Sequence, residues 1–421
     1  MLKINKPIYI LLLLFLAVYQ SSAQEFSSDS LTVTDSVVVS EFPFINYEAD
    51  TLIDATLLTP FFSKLLKLEN GDSSIVNIVH IGDSHIQADY ITREVRKNMQ
   101  LKFGNAGRGL VFPLRVAGTN EPTDYRSASN VGWSVSKINS AAKNPEPGIS
   151  GISMRTNSGG SYFEISTFSH DDLDYSFNKV TLLHSKDSTQ FDWRFTVSPE
   201  RFGYLMSSRP SEAGENTTEV QLPSPTSFIR LQAEHTEMCQ NSATVNGVVL
   251  QNNKPGVLYH SIGINGAHFA DYNSSPLFFS QLSALTPDLV IVSLGTNEGA
   301  NIKMTAEEMQ ASVSFFIRNI RQQVPQAVIL ITTPVDDFLR KKYKNPYLET
   351  VQRSLVKAAA ETGVACWDLY TIGGGYGSAS NWKSAGMLQR DGVHFNKQGY
   401  TLQGTLLFNA LNYSYQRYAA D

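Results

Sequence analysis

The sequence predicts an α/β fold in which a parallel sheet, flanked by helices on both faces, is interrupted by an inserted all-β domain. Two observations predict this fold. Apolar runs of strand length alternate with segments of helical periodicity in two parts of the chain, as in right-handed β-α-β units. Between these parts, residues 115–254 lack a helical period. They contain short alternating runs separated by Gly, Asn, Ser and Pro clusters, a pattern typical of a β-sandwich or jelly roll.

The first segment of the chain resembles an export signal. Two lysines precede an apolar run and small residues follow it, so residues 1–23 have the order of a secretory signal peptide. The run is too short to favour a membrane-spanning helix. We therefore expect a periplasmic or extracellular protein with no integral membrane span after signal cleavage; an uncleaved anchor is the alternative. Residues 24–50, rich in Ser, Thr, Asp and Val, predict an extended leader or linker.

The elements of the α/β part follow in order. A helix is predicted at 59–68, and a buried strand that ends at Gly82 is followed at once by an amphipathic helix at 86–103. After the insertion, apolar runs predict strands at 256–264, 288–294, 327–333 and 364–369. Helical periods predict helices at 278–285, 305–324, 346–362 and 396–415. The predicted α/β domain is therefore discontinuous, at 51–114 and 255–421, around an insertion at 115–254.

Composition and residue spacing give no support for a nucleic-acid-binding, disulfide-rich, metal-dependent or dinucleotide-binding protein. A net charge of −5 gives no reason to expect nucleic acid or an anionic membrane as a partner. Cys239 and Cys366 fall in different predicted domains, so we expect them to be unpaired. The histidines lack zinc-site spacing, and the glycine-rich stretch at 373–377 lacks the dinucleotide-binding pattern. We therefore expect neither a metal nor a cofactor.

Four loops at carboxyl ends of strands carry candidate catalytic residues, and the fold brings such loops to one edge of the sheet. Ser84 is the candidate nucleophile, and it needs an adjacent base near neutral pH. His394 is the candidate base, and Asp391, three residues earlier, can orient its ring. The candidate oxyanion donors are the Ser84 N–H, the Gly266 N–H and the Asn297 side-chain amide.

The motifs that carry these residues resemble the four sequence blocks of the SGNH (GDSL-type) hydrolases. In chain order they are Gly82-Asp83-Ser84-His85, Gly266, Gly295-Thr296-Asn297 and Asp391-Gly392-Val393-His394. The resemblance covers about residues 75–110 and 256–415. It implies a three-layer flavodoxin-like fold and metal-free ester hydrolysis through an acyl-serine intermediate.

One departure from the family pattern narrows the resemblance. His85 stands where many members have Leu, which is similar to a subgroup of peptidoglycan O-acetylesterases that carry a carbohydrate-binding-like β module after the first block. His85 is a candidate for gating the nucleophile or for binding substrate, or else a local hydrogen-bonding residue. Aromatic residues of the insertion either form a sugar-stacking face or belong to the core of the sheets; they are Tyr162, Trp193, Phe195 and Tyr204.

The sequence thus predicts an exported serine esterase that removes O-acetyl groups from a polysaccharide, with peptidoglycan as the first candidate substrate. Three alternatives stay open. The chain could deacetylate other glycans of plant or host origin, or it could be an O-acyltransferase that passes the acyl group to a sugar hydroxyl. It could also be a non-catalytic carbohydrate-binding protein on the same scaffold.

Overall fold

The computed structural model describes residues 42–198, 202–212, 214–300 and 304–421. The signal peptide predicted at 1–23 lies outside the described residues, and so does most of the predicted leader. The described end of that leader is packed rather than extended. It forms a 3-10 turn at Tyr47–Ala49, and its Phe44 ring lies 5.2 Å from the ring of Trp382. Aromatic side chains in this otherwise polar stretch account for the difference.

The described residues contain eighteen strands, numbered here in chain order. The first nine are β1 (Ile75–Gly82), β2 (Gly109–Val111), β3 (Tyr125–Ser129), β4 (Ser134–Lys137), β5 (Ile152–Thr156), β6 (Tyr162–Thr167), β7 (Phe177–His184), β8 (Asp192–Ser198) and β9 (Phe202–Met206). The others are β10 (Thr217–Thr226), β11 (Phe228–Glu234), β12 (Ala243–Gln251), β13 (Gly256–Gly263), β14 (Leu289–Ser293), β15 (Val328–Thr332), β16 (Phe338–Leu339), β17 (Tyr343–Lys344) and β18 (Ala365–Trp367).

Eleven α-helices lie in the same described residues. They are α1 (Thr59–Glu69), α2 (Ser84–Gln87), α3 (Tyr90–Phe103), α4 (Phe269–Asn273), α5 (Pro276–Ser280), α6 (Thr296–Gly299), α7 (Ala306–Gln323), α8 (Tyr347–Thr362), α9 (Leu369–Ile372), α10 (Ala379–Ser384) and α11 (Lys397–Ala420). Short 3-10 helices add Ala55–Leu58 and Leu282–Leu285.

The predicted parallel sheet is confirmed, with strand order β13-β1-β14-β15-β18. Every pairing in it is parallel, and β1 lies between β13 and β14 with Gly82 level with Gly263 and Ser293. The chain runs β1, β13, β14, β15, β18, so the strand order reverses at β1. Ligands of open α/β sheets bind beyond the carboxyl ends of strands at such a reversal, and Ser84 follows β1 at that place.

A row of hydrogen-bonded polar side chains crosses the interior of this sheet. Tyr259 Oη lies 2.7 Å from His80 Nδ1, and His80 Nε2 lies 2.6 Å from Ser293 Oγ. Thr332 Oγ1 then donates to Ser293 Oγ at 2.7 Å, so the chain joins β13, β1, β14 and β15. Burial lowers the pKa of His80 to about 3, which keeps the ring neutral. A satisfied buried network of this kind fixes the relative register of the strands.

The predicted all-β part forms two antiparallel sheets. Their strand orders are β10-β7-β12-β5-β4 and β3-β6-β11-β8-β9, and β2 pairs with β12, an interior strand of the first sheet. Trp193 and Phe195 are buried between the sheets, which favours the core interpretation of these rings over a sugar-stacking face. Tyr162 lies under the guanidinium of Arg230 at 4.2 Å. The domain boundaries stay predictions; β2 lies before residue 115 yet belongs to an antiparallel sheet.

The predicted helix at 86–103 is two helices, α2 and α3, separated at Asp89. Asp89 has φ 55°, a left-handed conformation that ends one helix before the next begins. Its carboxylate accepts hydrogen bonds from Arg96 and Arg108, two buried arginines that the apolar periodicity does not report. Leu101, an apolar residue near the end of this predicted amphipathic helix, is 56% exposed. The predicted helix at 278–285 is likewise a short α5 followed by a 3-10 turn.

Both cysteines are free: Cys239 is exposed and Cys366 is buried. Within the described parts of the chain, none of the helices is both long enough and apolar enough to cross a bilayer.

Candidate active site

Ser84 is the first residue of α2, directly beyond the carboxyl end of β1. Asp83 caps this helix because its carboxylate accepts the N–H of His85 at 2.9 Å. Gly82 makes the sharp exit possible, since a Cβ there would lie 2.3 Å from the Ile86 side chain and 2.7 Å from the Ser293 carbonyl oxygen. The tight turn therefore fixes the position of the Ser84 hydroxyl relative to the sheet.

Three predicted residues form one hydrogen-bonded chain. The Ser84 hydroxyl lies 2.8 Å from His394 Nε2, and His394 Nδ1 lies 2.9 Å from Asp391 Oδ2. Residues 310 positions apart are thus brought together as a nucleophile–base–carboxylate arrangement. An imidazole that donates Nδ1–H to a carboxylate presents Nε2 as an acceptor to the serine. This is the geometry that activates a serine hydroxyl near neutral pH.

The Asp391–His394 loop is held by its own carboxylate. Asp391 Oδ1 accepts the N–H groups of Val393 and His394, each at 2.9 Å. Partial burial opposes ionisation, but these backbone N–H groups and the His394 ring hold the pKa of Asp391 below its usual range. The carboxylate is therefore charged wherever His394 acts, and it favours an imidazolium when one forms.

The three predicted oxyanion donors border the same space as the Ser84 hydroxyl. Across the described residues, the backbone N–H groups of Ser84 and Gly266 have no backbone or side-chain acceptor. Asn297 Nδ2 donates to the Ala267 carbonyl at 2.9 Å, and its contact to Asp83 is long at 3.4 Å. The amide is thus fixed by one strong bond, and its other N–H, which makes only the long contact to Asp83, is left for a substrate oxygen.

Gly266 rather than Gly263 has the open surroundings that a substrate contact requires. A Cβ on Gly263 would lie 2.1 Å from the Gln87 backbone nitrogen, so this glycine is needed for packing against α2. Gly266 has φ 75°, and a Cβ there would have only one close neighbour, the Asn139 side-chain nitrogen at 3.5 Å. Asn139 also donates to the Asn265 carbonyl at 2.9 Å and so holds this loop in place.

An open pocket of about 780 Å³ lies over these groups. Its lining includes Ser84, Gly266, Asn297 and His394, so every predicted donor and the predicted dyad face one space. Asn120 and Glu121 border the pocket from the chain segment predicted to be the insertion; together with Gln87 they are lining residues that the sequence analysis missed.

Gln87 has a signal in the sequence, because it lies three residues after Ser84 on a helix and so faces the same side. Its Oε1 accepts the Asn265 N–H at 2.8 Å, and its Nε2 donates to Thr119. It therefore ties the Ser84 helix to the Gly266 loop. Asn120 and Glu121 have no such signal, since their place depends on how the insertion folds back.

His85 is not among the pocket-lining residues, so its predicted contact with substrate is not supported. Its ring packs against the His394 ring with centroids 5.2 Å apart, and its Nδ1 lies within hydrogen-bond distance of the Tyr400 hydroxyl, at 3.1 Å. Burial, followed by the nearby His394, lowers the pKa of His85 to about 3. The alternative interpretation fits: His85 is a neutral hydrogen-bonding residue that supports the base.

Asp83 gives the site a measurable pH dependence. Burial raises its pKa to about 7, opposed by the His85 N–H and reinforced by Glu298. Because the folded pKa is above the unfolded value, this group favours folding below pH 4 and loses that contribution as the pH rises to 7. Asp83→Asn stays neutral, so we expect the difference in unfolding free energy, wild type minus variant, to fall by up to roughly 4 kcal/mol between pH 4 and 8.

Urea denaturation of both chains across this pH range measures the difference. The exposed Asp72 offers a control, because Asp72→Asn should give a curve parallel to that of the wild type. A constant difference between the wild type and Asp83→Asn at all pH values would contradict the buried, protonated state of Asp83.

Among the described residues, no cluster of three or more His, Cys, Asp or Glu side chains could hold a metal ion. The groups that the site brings together are a serine hydroxyl, an imidazole, a carboxylate and N–H donors. This set is the one that acyl transfer through a serine requires.

The sequence model of the GDSL-like Lipase/Acylhydrolase family matches residues 235–402. This range contains Gly266, Asn297, Asp391 and His394 but begins after Ser84. The insertion separates the Ser84 block from the rest, which explains why a continuous match covers only the later blocks. Comparison of the sequence with curated proteins gives no match.

Solved structures include one similar over the whole fold. It is described as a peptidoglycan O-acetylesterase in action; it shares 22% identity and superposes with a TM-score of 0.72 over 89% of this chain and 98% of that one. The shared property is the fold, insertion included. A lipase/acylhydrolase from Enterococcus faecalis matches 38% of this chain and 76% of its own, with 19% identity and a TM-score of 0.29. A carbohydrate esterase of family 3 from Talaromyces cellulolyticus matches 38% and 73%, with 19% identity and a TM-score of 0.31.

Proposed function

We propose that this chain, which has the SGNH fold and matches the GDSL-like Lipase/Acylhydrolase family model over residues 235–402, is an exported serine esterase that removes O-acetyl groups from peptidoglycan. The observation that supports the proposal most is the hydrogen-bonded chain from Ser84 through His394 to Asp391 at the wall of an open pocket. The similar fold of a peptidoglycan O-acetylesterase supports the choice of glycan.

The proposed reaction has two steps. Ser84 Oγ attacks the ester carbonyl carbon while His394 Nε2 takes the hydroxyl proton, and Asp391 stabilises the imidazolium. The carbonyl oxygen becomes negative and is bound by the N–H groups of Ser84 and Gly266 and by the Asn297 amide. The imidazolium then gives its proton to the departing sugar oxygen, which leaves an acetyl group on Ser84.

A water molecule completes the cycle. His394 takes a proton from that water as it attacks the acetyl-serine carbonyl, the same three donors bind the second oxyanion, and acetate leaves as Ser84 regains its proton. The pocket is wide enough, at about 780 Å³, to hold a sugar unit and leave a path for water.

Acetate release by the purified protein tests the proposal. We expect faster release from O-acetylated peptidoglycan than from acetylated xylan. The reverse order would replace peptidoglycan by a plant-type glycan and leave the esterase assignment standing. Acetyl groups found on an added acceptor glycan would indicate a transferase. Glycan binding without acetate release from any ester would indicate a non-catalytic binding protein.

Asn297→Ala tests the oxyanion site. Because it removes one of three donors and leaves the serine, the histidine and the carboxylate in place, we expect kcat to fall by about 10²–10³-fold with little change in KM. Asn120→Ala is the matched control, since it removes an amide that lines the same pocket but belongs to another segment. A kcat for Asn297→Ala within tenfold of the wild type, or an equal loss in the control, would contradict the assignment.

A further inference from the structure

A strongly basic hairpin lies beside the predicted catalytic loop. Strands β16 and β17 pair antiparallel, with Phe338 opposite Lys344 and Leu339 opposite Tyr343. The basic hairpin comprises residues 338–344, and its exposed cations are Arg340, Lys341, Lys342 and Lys344. Four positive charges within seven residues stand out in a chain whose net charge is −5. Two further exposed cations flank the hairpin, Lys383 and Arg390.

The basic hairpin contacts the loop that carries the dyad. The Phe338 N–H donates to the Gly392 carbonyl at 2.8 Å, and Gly392 lies between Asp391 and His394. A Cβ on Gly392 would lie 3.0 Å from the Phe338 Cβ and 3.5 Å from the Lys341 Cα. Lys383 Nζ lies 5.4 Å from the Phe338 ring on the same side. The cations therefore lie on a hairpin that contacts the loop of His394, the base that deprotonates Ser84.

The basic side chains around the hairpin have no carboxylate partners among the described residues. Across the residues that the structure describes, Arg340, Lys341 and Lys342 form no ion pair with a carboxylate, and neither do Lys383 and Arg390. Single exposed cations without an ion pair also occur elsewhere among the described residues, as at Lys67 and Lys254, but here five are gathered around one hairpin. Unpaired cations gathered on one surface create a field that attracts an anionic partner.

The turn keeps its charges in spite of an unfavourable backbone. Arg340 has φ 52° and Lys341 has φ 63°, both in the left-handed region. Side chains other than Gly, Asn and Asp are disfavoured there, because their Cβ lies too close to the following carbonyl oxygen. Gly or Asn would form this turn with less strain, so a turn-forming role alone does not explain the two cations. A function for the charges does.

We infer that the basic hairpin binds carboxylates of an acidic polysaccharide whose ester lies in the pocket. The inference rests on the proposed function and narrows its substrate to carboxylate-bearing glycans. Peptidoglycan, whose peptide side chains end in carboxylates, belongs to this class. Exposed aromatic rings beside the cations supply flat apolar faces for sugar rings: Tyr343 is 58% exposed and Tyr376 is 52% exposed, with Lys344 Nζ 5.5 Å from the latter ring. A surface that combines several positive charges with exposed aromatic rings can contact several sugar units of a polymer, whereas a small ester would contact few of these groups.

A triple variant tests the inference against a matched control. Arg340→Gln, Lys341→Gln and Lys342→Gln remove three charges from the hairpin. Lys67→Gln, Lys254→Gln and Arg318→Gln remove three exposed charges elsewhere; Lys67 and Lys254 lie before β1 and β13, at the opposite edge of the sheet. Each chain is assayed on O-acetylated polygalacturonate, on acetylated xylan and on p-nitrophenyl acetate, and thermal unfolding confirms that each is folded.

We expect the wild type to prefer the acidic polymer to the neutral one. The hairpin variant should lower the ratio of kcat/KM on polygalacturonate to kcat/KM on xylan by about tenfold, because several modest exposed charge pairs are lost together. The change should be in KM rather than kcat. Raising the ionic strength should reproduce it in the wild type, since salt screens exposed charges. The control variant should keep the wild-type ratio.

Two results would overturn the inference while the esterase proposal stands: no preference for the acidic polymer, or an unchanged ratio in the hairpin variant. Inactivity on all three esters would instead contradict the proposed function. Binding of unacetylated polygalacturonate by Ser84→Ala, followed by calorimetry, then tests the hairpin without turnover. Equal affinity with and without the hairpin charges in that background would also overturn the inference.

Discussion

Ser84→Ala is expected to lower kcat for p-nitrophenyl acetate by about 10⁴–10⁶-fold, the largest effect of any single change in this chain. The variant removes the atom that attacks the ester and leaves the donors and the pocket in place. Any residual rate would come from water attacking a bound and polarised carbonyl. Ser283→Ala, which removes an exposed hydroxyl on another element, is the control and should keep the wild-type rate.

A double variant sharpens this test. If Ser84 and His394 act as one unit, Ser84→Ala with His394→Ala should lose no more activity than Ser84→Ala alone, because the base has no hydroxyl left to activate. Additive losses would mean that the two residues act independently, in spite of the 2.8 Å between them. A Ser84→Ala rate within tenfold of the wild type would refute nucleophilic catalysis by this serine.

Arg96→Met is expected to lower the free energy of unfolding by about 3–5 kcal/mol, the largest effect on stability that we predict. Arg96 is completely buried and hydrogen-bonds Asp89 at 3.1 and 3.0 Å and Asp124 at 2.7 Å. Arg108 contacts the same two carboxylates. Burial opposes ionisation of Asp89, but the two arginines lower its pKa to about 2. Removing one cation leaves buried negative charge without enough compensation.

Urea denaturation of the variant measures this loss. Arg353→Met is the matched control, because Arg353 and Glu349 form a largely exposed pair and such pairs contribute at most about 1 kcal/mol. Arg96→Met combined with Asp124→Leu removes one charge of each sign and should recover part of the stability. A loss below about 1 kcal/mol for Arg96→Met, or no recovery in the double variant, would contradict a stabilising role for this network.

The sequence was sufficient for the residues that local pattern and chain order define. Ser84 follows an apolar run, and Asp391 precedes His394 by three residues, so each motif reports its place at a strand end without knowledge of distant contacts. The architecture then predicts that the loops meet. The same argument named Gly266 and Asn297, and the structure brings both to the pocket that Ser84 lines.

What the sequence did not show depends on contacts between distant segments. Asp89 lies between α2 and α3 with a left-handed backbone and binds two buried arginines, and periodicity shows neither the charges nor the backbone conformation. Glu121 reaches the pocket only because the chain folds back after β2. The basic hairpin was missed as a strand pair because its residues lack apolar alternation, and its turn uses Arg340 and Lys341 where Gly or Asn is expected.

The hydrogen-bonded chain from Tyr259 through His80 and Ser293 to Thr332 has a consequence for protein engineering. Its side-chain hydrogen bonds hold four neighbouring strands in register within the sheet, independently of the loops that follow those strands. We therefore expect that the loops after those strands can be exchanged for the loops of other esterases without changing the relative positions of the strands. For the same reason His80 is a poor position for random mutagenesis. An aliphatic replacement would remove the hydrogen-bond partner that the Tyr259 and Ser293 hydroxyl groups share.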